Sequence, residues 1–213
     1  MKKSVYSLVL MDDVIKAVDS EAYRLGTSRS NLINQILAAH LSCTTPEMRM
    51  QEIFSSLSDL IGTRFSIQQQ RSASLMTLRT ALDYKYRPTI NYKVELERAP
   101  GDHLGTLRVH IRTQNSSLIA MFNGFFAYRA KLEAAALAAR GYADYICSLT
   151  DGSFSRKLVN SGLGPEQTGE AISRYLTDLN SSIQTYFTSP QDFPAYAPQL
   201  AANYEHMLNE YIL

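Results

Sequence analysis

Cysteine is scarce in this chain, tryptophan is absent, and long apolar runs are missing. Only Cys43 and Cys147 occur in 213 residues. That excludes a disulfide framework or a four-cysteine zinc site, and it suits a reducing compartment. No apolar stretch reaches the ~18 residues that a membrane helix needs, and the longest, near Leu118 to Phe126, is broken by Asn123 and Gly124. Lys2 and Lys3 ahead of Val5 to Met11 imitate the start of a secretory leader, but Asp12 and Asp13 end the apolar segment and no small-residue cleavage site follows. These absences lead to the expectation of a soluble, cytoplasmic protein without membrane association. An excess of positive charge is lacking as well. Lys and Arg total 21 against 20 Asp and Glu, a net charge of +1, so nucleic-acid binding has to be carried by a local motif.

Enzyme signatures are also missing. Gly162-Leu163-Gly164 lacks the later glycine and preceding strand of a dinucleotide fingerprint, and no phosphate loop, Gly-x-Ser-x-Gly elbow or His-Glu-x-x-His pair occurs. Glu95 and Glu97 share one strand face, but with basic residues across the hairpin they read as solvated ion pairs. His40, His103, His110 and His206 are scattered, and the one pair that could meet, His103 and His110 on a hairpin, reads as a loop and a solvated strand residue. The expectation is therefore no catalytic residues, no metal ligand and no cofactor.

What is present can build a core. With 45% hydrophobic and 19% charged residues, and roughly 150 residues per domain, one or two domains are expected. Thr44, Thr45 and Pro46 form a helix-stop and helix-start signal, which places a boundary near residue 45. Beyond it, Met50, Ile53, Phe54, Leu57, Ile61 and Phe65 recur at helical steps, so a helix over 46 to 66, extending toward Leu82, is expected. Ile90, Tyr92, Val94 and Leu96, followed after Pro100 and Gly101 by Leu107, Val109 and Ile111, alternate as a β-hairpin over 89–112. Helices are expected near 117–140, 142–149, 166–187 and 197–212. Residues 46–213 thus read as an α-rich domain containing one hairpin. Tyr84, Tyr86, Tyr92, Phe122, Phe125 and Phe126 read as ordinary core, with an effector-binding pocket as the second reading.

The first 45 residues carry the most information. Val5 to Leu10 is a β-rich run with Tyr6, Leu8 and Leu10 on one face and Val5, Ser7 and Val9 on the other. Asp12 and Asp13 then sit where a helix N-terminus favours negative charge, and Val14, Val18, Ala22 and Leu25 mark an amphipathic helix that ends at Gly26. Ser28 is placed to cap a second helix, whose stripe is Leu32, Ile33, Ile36, Leu37 and Leu41. A unit this small with an unpaired strand cannot complete a core alone. A symmetric dimer resolves both problems: two strands make one antiparallel ribbon, which packs its Tyr6, Leu8 and Leu10 face on four helices.

This order resembles the ribbon-helix-helix (MetJ/Arc/CopG-like) family of DNA-binding proteins over residues 2–43. The pattern appears as Tyr6-Ser7-Leu8-Val9-Leu10, then Met11-Asp12-Asp13-Val14, then Leu25-Gly26-Thr27-Ser28-Arg29-Ser30-Asn31-Leu32-Ile33, with no gap in spacing. The resemblance implies an α+β fold: a ribbon-helix-helix dimerisation and DNA-binding domain over 1–45, then the domain over 46–213. It implies base contacts from Val5, Ser7 and Val9 in the major groove. Phosphate contacts fall to the second helix's start at Ser28, Arg29 and Ser30, with Lys2 and Lys3 adding charge. Two of the three outward positions are valine, where the family often has a polar side chain; valine meets a thymine methyl but donates no hydrogen bond, so discrimination falls on Ser7, Lys2, Lys3 and DNA shape. The expected function is a sequence-specific transcriptional regulator, a repressor, that binds double-stranded DNA as a homodimer or a dimer of dimers. A small-molecule effector or a protein partner would act at the C-terminal domain. The alternative is an antitoxin or plasmid-maintenance protein that uses the same unit on DNA and the C-terminal domain on a protein partner.

Overall fold

Gly26 sets the geometry of the first unit. In the computed structural model, which describes residues 5–41, 43–68, 72–85 and 87–213, helix α1 (Asp12–Arg24) opens on Asp12 and Asp13. It closes in a Schellman turn: Gly26 adopts φ +61°, its N–H donates to the Tyr23 carbonyl at 3.1 Å, and the Thr27 N–H donates to the Ala22 carbonyl at 3.0 Å. Left-handed φ favours glycine because it has no Cβ to collide with the following carbonyl. Helix α2 (Arg29–His40) begins at once, with the Ser28 hydroxyl accepting from the Asn31 N–H at 3.2 Å. Among the described residues of this unit the buried apolar side chains are Ala22, Leu32 and Ala38.

The chain divides into two compact units, Met1–Arg49 and Met50–Leu213. Helix α3 (Pro46–Leu60) starts with the Thr45 hydroxyl accepting from the Met48 N–H at 3.1 Å. It stops before Gly62, whose φ of +73° no helix can continue through. The second unit is mixed α+β. Strands β1 (Ser66–Ile67), β2 (Leu75–Ala81), β3 (Thr89–Leu96), β4 (His103–Arg112), β5 (Cys147–Thr150) and β6 (Ser153–Val159) make an antiparallel sheet of order β1-β2-β3-β4-β6-β5. Helices α4 (Ser116–Ala138), α5 (Pro165–Thr188) and α6 (Phe193–Glu210) complete it.

The hairpin lies where the alternation placed it, but it is the centre of a sheet. Residues 66–67, 75–81, 147–150 and 153–159 are strands, which corrects the helix expected to extend toward Leu82 and the helix expected near 142–149 and makes the hairpin part of a six-stranded sheet. In β2 the spacing of Leu75, Leu78 and Leu82 fits a helix, while the buried set Met76, Leu78, Thr80 and Leu82 has period two. Segment 75–82 satisfies both periods, and the ladder to β3 decides. Residues 142–146 hold no helix, and β5 follows them.

One face of the sheet is buried, and on the other Arg79, Lys93, Glu95, Arg108, His110 and Arg112 are exposed. Inward side chains such as Tyr92, Val94, Val109 and Phe154 join Phe54 of α3, Phe122 and Phe126 of α4 and Leu176 of α5 in one core. Phe126 stacks on Phe154 with centroids 4.4 Å apart. Helices α3 and α5 approach closely at Gly169, where a Cβ would lie 2.6 Å from the Ile53 carbonyl oxygen.

Candidate functional site

Residues 5–11 enter neither helix nor sheet in the single chain. Their exposure nevertheless alternates. Val5 and Val9 are fully exposed at 101% and 103%, whereas Tyr6, Leu8 and Leu10 become progressively covered at 84%, 50% and 36%. Ser7 is exposed with the outward set. Lys2 and Lys3 lie outside the described residues. The apolar exposure extends into the helices: of 18 exposed large hydrophobic side chains among the described residues, 13 fall between Val5 and Leu41. Val14, Ile15, Leu25, Ile36 and Leu37 are among them, so each amphipathic stripe is exposed in part, with Ala22 and Leu32 as the buried members. Isolated exposed apolar residues are ordinary, but a continuous set of this kind marks an interaction surface.

The start of α2 holds the other expected residues. Ser28 caps the Asn31 amide, and Arg29 and Ser30 are the first two helical residues, whose N–H groups have no acceptor within the helix. Asn31 also donates from its side chain to the Thr27 hydroxyl at 2.9 Å, which fixes the turn. The Arg29 side chain is engaged: one terminal nitrogen donates to Asp19 at 2.7 Å, and its Nε meets the other oxygen of the same carboxylate. This fork ties the middle of α1 to the first turn of α2. A guanidinium has five N–H groups, so donors remain for an incoming anion. Asp19 and Arg29 are ten residues apart on opposite sides of the turn, and neither helical nor strand periodicity links them.

The second unit contains a buried charge cluster that periodicity and motif spacing do not announce. Glu133 of α4 accepts from Arg129 Nε at 2.6 Å and from the Tyr175 hydroxyl at 2.7 Å on one oxygen. Its other oxygen accepts from Arg156 Nη1 and the Tyr145 hydroxyl, each at 2.8 Å. Arg129 lies over the Tyr204 ring, 4.5 Å from its centroid, and 3.0 Å from an oxygen of Asp178. Arg156 also donates to the Leu213 carbonyl. Burial pushes the Glu133 carboxyl up, but the guanidiniums of Arg156 and Arg129 and their hydrogen bonds outweigh it and hold the group below its ordinary range. Burial, reinforced by the Glu133 charge, pushes the Tyr204 phenol up to about 12. Glu133 and both arginines are shut away from solvent, so the cluster locks α4, α5 and β6 together. The available signals were an Arg-x-x-x-Glu pair inside the most apolar helix and an arginine at an inward position of β6.

The other sequence candidates are dispersed. Tyr92, Phe122, Phe125 and Phe126 are buried core, Tyr84 is 38% exposed, and Tyr86 lies outside the described residues. His103 and His110 lie on the same strand, β4, rather than facing across the hairpin. At about 3.4 Å per residue that separates them by roughly 24 Å. Among the described residues no group of three or more His, Cys, Asp or Glu side chains is placed to hold a metal ion. None of the described helices is long and apolar enough to cross a membrane. Comparison with protein-family models, with curated proteins and with solved structures found no match.

Proposed function

We propose that this chain is a sequence-specific DNA-binding transcriptional regulator, a repressor, whose residues 5–10 pair with those of a second copy into an antiparallel ribbon that enters the major groove. The observation that carries this reading is the concentration of exposed apolar side chains between Val5 and Leu41, with Tyr6, Leu8 and Leu10 covered more than Val5 and Val9. A second copy would cover the first set and leave Val5, Ser7 and Val9 outward, on an element of the width that the major groove admits. The capped start of α2, with Ser28, Arg29 and Ser30, would lie against a phosphate.

Roles divide by chemistry. Among the outward residues Ser7 alone hydrogen-bonds through its side chain, so it discriminates between bases, while the two valines contact thymine methyl groups. Arg29 acts on phosphate and shares its guanidinium with Asp19. The first 45 residues carry 5 basic and 4 acidic side chains, so one dimer binds weakly and two dimers on adjacent sites supply the occupancy.

The test is a titration of wild type, Ser7→Ala and Arg29→Ala against the duplex that the protein enriches from a random pool and against its scrambled version, at several salt concentrations. Ser7→Ala lowers discrimination more than non-specific affinity. Arg29→Ala weakens both duplexes alike and flattens the logarithmic salt slope by about 0.9 for each phosphate that is no longer neutralised. If no sequence is enriched, or if both variants match wild type while remaining dimeric, the ribbon does not read DNA and the assignment is withdrawn.

A further inference from the structure

The exposed face of the sheet in the second unit has a composition of its own. Its outward positions on β2, β3, β4 and β6 include Arg79, Lys93, Arg108, Arg112 and Lys157, five cations in a protein of net charge +1. The register sets Lys93 directly opposite Arg108. Like charges at that spacing destabilise a sheet. The acids on the face compensate only in part: Glu95 pairs with Arg108 at 3.4 Å and Glu97 with Lys157 at 3.0 Å. The side chains of Lys93, His110 and Arg112 make no ion pair or hydrogen bond among the described residues. Between these cations lie small hydrogen-bonding groups, with Thr77 opposite Lys93, Asn91 opposite His110 and Ser155 opposite Arg108.

That combination selects among partners. A protein-binding patch has an apolar or aromatic centre depleted of charge, yet none of the exposed large hydrophobics of the second unit lies on β2, β3, β4 or β6. Single-stranded nucleic acid is held by aromatic side chains on which bases stack, and this face offers none. Arginine, lysine, serine, threonine and asparagine on an open, polar surface are the set that contacts phosphate oxygens of a duplex.

From this charge complementarity we infer that the open sheet face is a second docking surface, on which the phosphate backbone of double-stranded DNA binds without sequence preference. It does not depend on the proposed role of the first unit. A chain whose residues 5–10 read no DNA would still dock here, and a chain whose ribbon reads DNA would bind through two surfaces of different selectivity.

The experiment uses the full chain and a random-sequence duplex followed by fluorescence anisotropy over a salt series. Lys93→Gln/Arg112→Gln removes two cations from the face, and Arg64→Gln/Lys131→Gln removes two elsewhere at the same cost in net charge. The first variant is expected to bind roughly tenfold more weakly, with its salt slope lowered by about 1.8, while the second stays close to wild type. Thr77→Glu places a carboxylate opposite Lys93, so it should raise the melting temperature while weakening duplex binding; a structural role alone would not move the two in opposite directions. The same differences should persist in a Ser7→Ala/Arg29→Ala background, which separates this surface from the ribbon. Equal losses in the two double variants would reduce the effect to bulk charge and overturn the inference. So would unchanged duplex binding, or a loss seen only with poly-glutamate as the probe, which would make the partner an acidic protein.

Discussion

The two units differ in what they can bury. In residues 50–213 the inward positions of β2, β3, β4 and β6 are buried, and even a carboxylate and two guanidiniums are enclosed with partners. In the first unit only Ala22, Leu32 and Ala38 are buried apolar residues among those described, while thirteen large apolar side chains are exposed. The second unit has a sheet to receive its stripes, whereas the described residues of the first include no strand. A second copy is the proposed cover for its exposed side chains.

The comparison can be broken most forcefully in the second unit. Glu133→Ala leaves Arg129 and Arg156 buried without their shared anion, and loss of one partner from such a cluster costs about 3–5 kcal/mol. Chemical denaturation should show this as a lower midpoint that does not depend on protein concentration. The same carboxyl gives a pH signature. Its folded-state value is depressed from an ordinary 4.5, so its contribution is fully present above pH 4.5 and is lost as pH falls through the depressed value. The acid-induced decline of wild type should therefore be shallower in Glu133→Gln, which has no such proton to take up. Gly169→Val, which drives a side chain into Ile53 and Ser56 of α3, should cost roughly 1–3 kcal/mol in the same transition.

Changes in the first unit should be smaller and of another kind. Gly26→Ala forces a Cβ into left-handed φ at about 1–2 kcal/mol, and Ser28→Ala removes the Asn31 cap at about 1 kcal/mol. Both should leave the denaturation of the second unit in place and speed hydrogen exchange in α1 and α2. If a second copy completes the unit, the unfolding midpoint of α1 and α2 rises with protein concentration in wild type and in both variants. Equal sensitivity to concentration in Glu133→Ala would erase the distinction between the units.

Local pattern made part of this legible. The alternation of Ile90, Tyr92, Val94 and Leu96 located β3, and the stop at Gly26 and cap at Ser28 located the α1–α2 turn, because each rests on neighbours in sequence. Strand β2 was hidden since segment 75–82 carries two periods at once, Leu75, Leu78 and Leu82 at helical steps and Met76, Leu78, Thr80 and Leu82 at steps of two. Strand β6 was hidden for a chemical reason: its inward set is Phe154, Arg156 and Leu158, and an arginine at the middle position breaks the apolar alternation that would announce a buried face. That arginine is buried only because Glu133, 23 residues earlier, is there to receive it. The charge of the open sheet face was legible only in part, since the cross-strand basic residues were visible but the register that sets Lys93 against Arg108 was not.

Sedimentation velocity of wild type and Leu8→Pro, from nanomolar to micromolar concentration, bears most directly on the proposed completion of the first unit by a second copy. Proline at position 8 removes a backbone N–H from the ribbon and an inward apolar side chain together. Wild type should sediment as a dimer at micromolar concentration and Leu8→Pro as a monomer, while the denaturation of the second unit stays unchanged. A wild-type monomer at micromolar concentration, with α1 and α2 protected from hydrogen exchange, would contradict it.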